Sequence, residues 1–152
     1  MRLGVVSDTH GTLDPSIGEA LAGVDRIIHA GDIGPQHIID ELAAVAPVTA
    51  VRGNMDSGDL GWRLLDTATV RVGEVRILVT HRAGDAIVAG IPEGVTVVVS
   101  GHTHRPAVER IGEVLFVNPG SAGGHNRDGH GPTAAIIDLD VDPPAAWIIE
   151  FA

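Results

Sequence analysis

The chain has 152 residues, enough for one domain with a sizeable apolar core, and its 20 acidic and 10 basic residues give a formal net charge of −10. All of the basic residues are arginines spread along the chain, which excludes the concentrated basic face of a protein that coats duplex nucleic acid. Cysteine is absent, so disulfides and thiolate metal sites are excluded, and any metal ion must be held by nitrogen and oxygen atoms.

Short runs rich in Val and Ile recur along the chain and predict buried β-strands. In chain order the runs are Leu3–Val6, Arg26–His29, Val48–Val51, Val75–Val79, Val95–Val99, Val114–Val117, Ala134–Leu139 and Ala146–Ile149. Stretches with helical patterning lie between the earlier runs, at Pro15–Ala22, Pro35–Ala46 and Asp85–Ile91. Strand and helix therefore alternate over the first half of the chain, whereas the last third is mostly strand and turn.

The helical stretch Pro35–Ala46 has the clearest pattern. Its apolar residues fall on one helical face, Asp40 and Glu41 lie on the opposite face, and Pro35 suits the first helical position. The apolar face consists of Ile38, Ile39, Leu42 and Val45. In the stretch Asp85–Ile91, the apolar residues of the pattern are Ile87, Val88 and Ile91.

The order of elements predicts an α/β fold of two packed mixed β-sheets flanked by helices. No linker or repeat divides the chain, so we expect a single domain over residues 1–152, with the glycine-rich stretch Gly120–Gly131 as a long surface loop. No apolar run approaches the roughly 20 residues that span a bilayer, and Met1–Val6 meets polar Ser7 too early for a signal peptide. These features predict a cytoplasmic protein with no membrane partner.

Five of the predicted strands are followed directly by polar residues of a restricted kind. These residues are Asp8, His10, Asp32, Asn54, His81, His102 and His104. The carboxyl ends of the strands in an open α/β sheet form the crevice where ligands bind, so we expect these side chains to meet at one edge. In extended backbone, residues two apart point to the same side, which would pair Asp8 with His10 and His102 with His104.

Carboxylate, carboxamide and imidazole groups together indicate a site for Mn, Fe, Co, Ni or Zn, and they do not distinguish among these metals. A single histidine is more often a surface or core residue than a ligand, and an aspartate after a strand is often a turn or cap residue. The whole set, in a chain with only 8 histidines, indicates a metal centre far better than any one of its residues does.

The chain resembles the calcineurin-like metallophosphoesterase superfamily in the order and spacing of five short blocks. These blocks are Asp8-Thr9-His10, Gly31-Asp32, Gly53-Asn54, Thr80-His81 and Gly101-His102-Thr103-His104. The short length and the block Asn118-Pro119-Gly120-Ser121 resemble the small bacterial and archaeal phosphodiesterase branch, and the likeness extends from Leu3 to about Leu139.

The resemblance implies a four-layer α/β/β/α sandwich with two divalent transition-metal ions, manganese being favoured over zinc, iron, nickel or cobalt. The implied ligands are Asp8, His10 and His104 for the first ion, Asn54, His81 and His102 for the second, and Asp32 as a bridge. The implied reaction is phosphodiester hydrolysis by a hydroxide that bridges the ions. Asp8, Asp32, Asn54 and His81 would be the catalytic residues.

Two positions depart from the family pattern. Many relatives have His after the metal-binding Asn, thought to protonate the leaving oxygen, whereas this chain has Met55, which has no proton to give. General-acid help is worth about 10²–10⁴ in rate, so we expect esters with good leaving groups to be preferred. Asp56 either replaces that histidine, orients Asn54 or a histidine, or is a turn carboxylate. Relatives often have Gly where this chain has Arg82, which is either solvated or a contact for a phosphate oxygen.

Several further residues have predicted roles near the site. Arg127 is a candidate substrate contact, because the branch commonly carries Arg shortly after the Ser121 block. The nearby His125 and His130 are predicted to be exposed loop residues. His29 is predicted to be a buried donor that supports the site without being a ligand. Trp62 is predicted to make an apolar contact in the core or a subunit interface, with stacking on a base as the alternative.

The sequence thus predicts a dinuclear-metal phosphodiesterase that acts on a small phosphodiester or nucleotide-like substrate. One alternative is a phosphomonoesterase with the same site. The other is a non-catalytic scaffold like the related retromer subunit, which has lost parts of the metal set that is complete here. Because branch members are often dimers or tetramers, a homodimer or homotetramer is expected, and duplex nucleic acid is not expected as a partner.

Overall fold

Two five-stranded β-sheets pack against each other in the computed structural model, which describes all of residues 1–152. The strands are β1 (Arg2–Val6), β2 (Arg26–His29), β3 (Val48–Ala50), β4 (Thr67–Val72), β5 (Val75–Thr80), β6 (Val95–Val99), β7 (Ala107–Ile111), β8 (Val114–Asn118), β9 (Thr133–Asp138) and β10 (Ala145–Glu150). The helices are α1 (Ile17–Ala20), α2 (Gln36–Ala43), α3 (Gly58–Arg63) and α4 (Ala83–Ala89). None of these helices is long and apolar enough to cross a membrane.

Both sheets are mixed, as the sequence predicts. The first sheet has the order β10-β9-β1-β2-β3, in which β1, β2 and β3 run parallel. The second has the order β4-β5-β6-β8-β7, in which β5, β6 and β8 run parallel. The register pairs Val6 with His29 in the first sheet and Val79 with Val99 in the second. Neighbouring parallel strands therefore end nearly level, which places the residues that follow them at one edge.

The apolar core lies between the sheets, and helices cover both outer faces. Strand β1 is buried from Leu3 onward, because both of its faces are covered, as its continuous apolar run predicts. Helices α1 and α2 cover the first sheet through Ile17, Ile38 and Leu42, and α4 covers the second through Ala86. The layers are therefore α/β/β/α, which confirms the fold that the resemblance implies.

All of the predicted strands are present, with ends within one residue of those expected. Helices α1 and α2 are shorter than predicted, and Pro35 precedes α2 as its cap because its ψ angle of 158° is extended. In α4, which already begins at Ala83, the predicted apolar residues Ile87 and Val88 are 58% and 90% exposed. Ala86 and Ile91 pack on the sheet in their place.

Three elements were not predicted from the sequence, namely α3, β4 and β7. Every residue of β7 is exposed, so this edge strand has no apolar run to reveal it. Strand β4 is also an edge strand, in which only Val70 is buried. Helix α3 has six residues, two of them glycine, and glycine is a poor helix former.

Candidate metal centre

Five loops bring the predicted metal ligands together at one edge of the two sheets. The loops follow β1, β2, β3, β5 and β6. Two groups of side chains each present ligand atoms within 4.8 Å of one another, so each group could hold a metal ion. The first group is Asp8, His10 and His104, and the second is Asp32, His81 and His102.

The two groups adjoin at the aspartates. Asp8 Oδ1 lies 3.3 Å from His104 Nε2, 3.7 Å from His10 Nε2 and 3.9 Å from His81 Nε2. Asp32 Oδ2 lies 3.3 Å from His81 Nε2 and 3.8 Å from His10 Nε2. Asp32 therefore reaches both groups, which suits the bridging position that the resemblance implies.

Asn54 lies beside the second group. Its Oδ1 atom is 3.2 Å from His102 Nδ1, and Asn54 itself follows β3 at the same edge. All of the predicted ligands therefore lie in one cluster, in which Asp8, His10 and His104 form one group and His81 and His102 belong to the other. The difference from the implied ligand sets is Asp32, which the geometry groups with His81 and His102.

Two buried ligand atoms have no hydrogen-bond partner, namely Asp8 Oδ1 and His81 Nε2. The other polar atoms of these side chains are bonded. Asp8 Oδ2 accepts from the Ser7 hydroxyl at 2.7 Å and from the His102 N–H at 2.9 Å, and His81 Nδ1 lies 2.7 Å from the Ala30 carbonyl oxygen. An unpaired buried polar group costs about 1–3 kcal/mol. Two such atoms in one cluster fit a metal centre, because a cation would pair with both.

Backbone carbonyls select the histidine nitrogen that is left for a metal. His81 Nδ1 faces the Ala30 carbonyl, and His104 Nδ1 lies 2.9 Å from the carbonyl oxygen of His125. A carbonyl oxygen only accepts, so Nδ1 carries the proton in each ring and Nε2 has a free lone pair. The rings are thus held in the tautomer and orientation that metal binding needs.

Five of the predicted ligands have left-handed backbone. Their φ angles are 53° for Asp8, 47° for His10, 56° for Asp32, 74° for His102 and 56° for His104. The prediction of extended backbone is therefore wrong at these five residues, where the chain turns. Asp8 and His10 nevertheless belong to the same group, as predicted, whereas His102 and His104 belong to different groups. Strain of this kind costs about 1–3 kcal/mol per residue and is concentrated at functional sites.

Mutual charge and burial set the ionisation of the second group. Burial acts to raise the pKa of Asp32, but the His81 ring, whose Nε2 lies 3.3 Å from Asp32 Oδ2 and pairs with it when the ring is protonated, and the Met55 N–H outweigh burial and leave that pKa below its usual value. Burial acts to lower the pKa of His81, but the same pairing of the protonated ring with Asp32 and the bond to the Ala30 carbonyl raise it above its usual value. Burial and then the charge of Arg82 lower the pKa of His102.

Asp56 ties two of the ligand loops together. Its Oδ2 accepts from the N–H groups of Gly53 at 2.8 Å and Asp32 at 3.0 Å, and its Oδ1 accepts from Ile33 at 2.8 Å and Gly34 at 3.4 Å. The expected contact with Asn54 or a histidine is absent, since the carboxylate is occupied by backbone donors. The bond from Gly53, three residues earlier, agrees with the predicted alternative of a turn carboxylate, whereas the sequence offered no signal for the bonds from Asp32, Ile33 and Gly34, which belong to a distant loop.

The loops approach closely enough to require glycine. A Cβ atom on Gly53 would lie 2.2 Å from both the backbone nitrogen and Oδ1 of Asp32. A Cβ atom on Gly31 would lie 2.8 Å from Gly53 Cα, and Gly31 has a φ of 102°. The glycines of the Gly-Asp and Gly-Asn blocks therefore allow the two loops to touch.

His29 is fully buried behind the ligands, as predicted, and is not a ligand. Its Nδ1 accepts from the Gly31 N–H at 3.1 Å, and its Nε2 lies 3.0 Å from the Thr9 hydroxyl, which donates to the Ile33 carbonyl at 2.6 Å. Burial lowers the pKa of His29 to about 3, so the ring is neutral. This chain of bonds joins the loop of Asp8 and His10 to the loop of Asp32.

The Asn118–Ser121 block braces the ligand loops from the other side. Asn118 Nδ2 donates to the Gly101 carbonyl and to the Thr103 hydroxyl, each at 3.0 Å. The Ser121 hydroxyl donates to the Asp8 carbonyl at 2.7 Å. The block therefore supports the loops of both groups and contributes no ligand atom.

The remaining candidates surround the centre. Met55 is 66% exposed, and its N–H donates to Asp32 Oδ1 at 2.8 Å. The Arg127 N–H donates to the His104 carbonyl at 3.1 Å, and its side chain is exposed without a contact to the ligands. His125 and His130 are exposed, as predicted, although the His125 ring centroid lies 5.6 Å from that of His10. Trp62 is 84% exposed, so the prediction of a core contact is wrong.

The chain is similar to known phosphoesterases in sequence. A model of the calcineurin-like phosphoesterase superfamily domain matches residues 1–142. A probable metallophosphoesterase of Methanocaldococcus jannaschii is 36% identical over 130 residues, which cover 80% of this chain and 68% of the relative. The phosphodiesterase YfcE of Escherichia coli is 31% identical, with 93% of this chain and 89% of the relative covered.

Two solved structures have closely similar folds. A structure of an archaeal phosphodiesterase aligns over 98% of this chain and all of its own length, with a TM-score of 0.78 and 25% identity. Vps29 of Chaetomium thermophilum aligns over 99% of this chain and 89% of its own length, with a TM-score of 0.81 and 21% identity. The second likeness concerns the fold alone.

Proposed function

We propose that this chain, which belongs to the calcineurin-like phosphoesterase superfamily, is a phosphodiesterase that works with two divalent metal ions. Its family and its relatives named phosphodiesterase make it a metal-dependent phosphoester hydrolase that acts on small phosphoesters. The observation that carries the proposal is the pair of unpaired buried ligand atoms, Asp8 Oδ1 and His81 Nε2, inside a cluster of imidazoles and carboxylates.

In this proposal Asp8, His10 and His104 hold one ion, Asn54, His81 and His102 hold the other, and Asp32 reaches both. When bound, the ions would supply the positive charge that attracts phosphoryl oxygens and would activate water as a nucleophile. Asn54 adds an oxygen ligand without charge, so the two aspartates are the only anionic ligands. Two divalent ions and two carboxylates would leave a local charge of roughly +2. This local positive charge would attract an anionic ester even though the net charge of the chain is −10.

The protein contributes position and ionisation state to the reaction. Asp8 is held in position by the Ser7 hydroxyl and the His102 N–H, and Asp32 by the Met55 N–H. His81 and His104 are held with Nε2 free by the carbonyls of Ala30 and His125. Loops that are already rigid lose little entropy when a metal and substrate bind.

Met55 favours substrates with a good leaving group. Its thioether side chain offers no proton to a leaving alkoxide, whereas an aryl oxide departs without one. We therefore infer that aryl or other activated diesters are hydrolysed fastest. Manganese as the metal and a homodimer or homotetramer remain parts of this proposal that follow from the resemblance, and a cytoplasmic location remains the expectation from the sequence.

Hydrolysis of bis(4-nitrophenyl) phosphate by protein loaded with Mn²⁺ tests the proposal. We expect His81→Ala to lower the rate by more than about 100-fold, since a metal ligand is lost, while His37→Ala, a change of an exposed histidine on α2, leaves the rate unchanged. Chelation should remove the activity and added metal should restore it. A protein that binds metal and hydrolyses no phosphoester would favour the scaffold alternative instead.

A further inference from the structure

A cleft of about 700 Å³ opens directly beside the second ligand group. Asn54 and His81 form one side of the cleft, and Trp62 and Arg82 are among the residues that line the rest. The volume is within the roughly 300–1,000 Å³ that is usual for sites of small molecules. Trp62 is the single hydrophobic residue in the lining. A group bound there would therefore meet one aromatic ring and an otherwise polar wall.

Trp62 presents its ring to solvent on a helix that is firmly anchored. The ring is 84% exposed, although Leu60 and Leu64 of the same segment pack against the core on the first sheet. A Cβ atom on the buried Gly61 would lie 2.9 Å from the backbone of Asp56, so α3 rests on the turn that follows Asn54. The backbone that carries the exposed ring is thus anchored next to the loop that follows β3 and holds Asn54.

Arg82 is the arginine of the cleft that has no partner. The other one, Arg52, bonds to Asp66 Oδ1 at 2.8 Å and donates to the Gly61 carbonyl at 3.1 Å, so it serves to hold α3. The guanidinium of Arg82 makes no hydrogen bond or salt bridge, although Asp85 lines the same cleft. Because Arg82 follows His81 directly, its charge lies beside the ligands, and it is available for a substrate anion.

We propose that the cleft binds a nucleoside, so that the substrate is a phosphodiester with a nucleoside as one arm. The base stacks on Trp62, and Arg82 binds a non-bridging phosphoryl oxygen. Stacking on an exposed aromatic ring is a frequent way for proteins to hold a base. The polar wall, which includes Thr67 and Asp85, suits a sugar and the edges of a base better than an alkyl chain. This inference rests on the proposed phosphodiesterase function.

The test compares two substrates that share one leaving group. Thymidine 5′-(4-nitrophenyl) phosphate and methyl 4-nitrophenyl phosphate differ only in the arm that does not leave. For the Mn²⁺-loaded wild type we expect a KM about ten-fold lower for the thymidine ester. Trp62→Leu should remove this difference, whereas Trp62→Phe, which keeps an aromatic ring, should retain most of it. Arg82→Gln should raise KM for both esters, and Arg71→Gln, a change of an exposed arginine on β4 outside the cleft, should raise neither.

A binding measurement makes the inference independent of catalysis. The chain has two tryptophans, so Trp147→Phe leaves Trp62 as the only fluorescent one. Thymidine 5′-monophosphate should quench this fluorescence with saturation in the Mn²⁺-loaded protein. No saturable quenching, or equal KM values for the two esters in wild type and Trp62→Leu, would overturn the inference while the phosphodiesterase proposal stands. Failure to hydrolyse either ester would instead count against the proposed function, and the quenching would still decide whether the cleft binds a nucleoside.

Discussion

Each buried ligand has one atom that is fixed by the protein and one that is left for a metal. One carboxylate oxygen of Asp8 accepts hydrogen bonds from Ser7 and His102, and the other oxygen is unpaired. In His81, Nδ1 donates a hydrogen bond to the Ala30 carbonyl, and Nε2 is unpaired. Because each of these buried side chains has one bonded and one unpaired polar atom, the cluster differs from a set of exposed acidic residues.

Met55 offers a test of how the leaving group departs. Met55→His would place an imidazole beside Asn54, and its N–H bond to Asp32 would survive because it belongs to the backbone. We expect turnover of alkyl esters to rise by about ten-fold or more, within the general-acid range, and turnover of aryl diesters to change little. The measurement is kcat for both ester classes in the wild type, Met55→His and the control Met55→Gln.

The outcome that would defeat this account of Met55 is a wild type that hydrolyses alkyl monoesters as fast as aryl diesters. Another residue would then be donating the proton. An equal gain in Met55→Gln would point to altered loop geometry in place of proton donation.

His29 makes the folded protein sensitive to acid. Its pKa is about 3 in the folded protein and 6.5 in the unfolded chain. Below pH 6.5 the unfolded chain therefore binds a proton at His29 that the folded protein does not bind, and the free energy of unfolding decreases as the pH is lowered. From pH 7.5 to pH 5.5 this contribution falls by about 1.4 kcal/mol. We expect His29→Gln, which can keep both hydrogen bonds, to weaken the pH dependence of urea unfolding by about that amount in metal-free protein.

The exposed His37 provides the comparison for His29. His37→Gln should leave the pH dependence of unfolding as in the wild type, because its side chain is 57% exposed on α2. If His29→Gln and His37→Gln gave the same pH dependence, burial of a neutral His29 would not account for the acid sensitivity.

At the scale of elements, the site is formed by loops that are held together by hydrogen bonds between side chains and backbone groups. Asp56 joins the loop after β2 to the loop after β3 through four N–H groups. Asn118 and Ser121 join the loop after β6 to the loop after β1. The strands set the direction of these loops, and the bonds between loops set the distances between ligands.

Asp56→Asn tests the importance of these bonds. The substitution keeps the side chain's size but replaces one accepting oxygen by a donor, which faces backbone N–H groups. We expect metal affinity to fall by about 10–100-fold, as for other residues that support ligands, and stability to fall by about 1–3 kcal/mol. Metal titration and urea unfolding measure the two effects. Asp59→Asn, on the exposed first turn of α3, should change neither, and unchanged metal affinity in Asp56→Asn would contradict the role given to Asp56.

The strands and the gathering of the candidate ligands at one edge could be predicted from the sequence because both leave local signals. Buried parallel strands such as β2 and β6 are continuous apolar runs, and their ends carry the ligands. The edge strand β7 and the short helix α3 have no such pattern. The turn at each ligand and the support from Asp56 depend on contacts between distant loops, so no local pattern could reveal them.

At the scale of the whole molecule, an acidic chain gathers its candidate metal ligands at one edge, and in our proposal bound cations would attract an anion there. The net charge is −10, and Arg82, which follows His81 directly, lines the cleft beside the second ligand group. The second ligand group combines residues from both sheets, since Asp32 follows β2 of the first sheet and His81 follows β5 of the second. This group therefore forms only when the two sheets are packed together. Metal binding and the packing of the sheets are therefore expected to stabilise each other.

Activity should fall in acid because protons compete with metal for the same atoms. The pKa of His81 lies above its usual value, and its titrating nitrogen is Nε2, because Nδ1 bonds to the Ala30 carbonyl. Metal affinity should thus begin to fall at a pH above 6.5 and continue to fall as the pH drops. We expect a higher Mn²⁺ concentration to shift the acid limb of the pH profile to lower pH. Activity lost in acid while both metals stay bound would point instead to protonation of the nucleophile.

The most direct test of the metal centre is the metal content of the protein after incubation with Mn²⁺ or Zn²⁺ and removal of unbound ions. Elemental analysis should find two ions per chain in the wild type, as the two ligand groups indicate. Asp32→Ala removes the carboxylate that reaches both groups and should lose at least one ion, whereas Asp40→Ala, on the exposed face of α2, should keep both. A wild type that holds no ion, or an Asp32→Ala variant that holds as many as the wild type, would contradict the account.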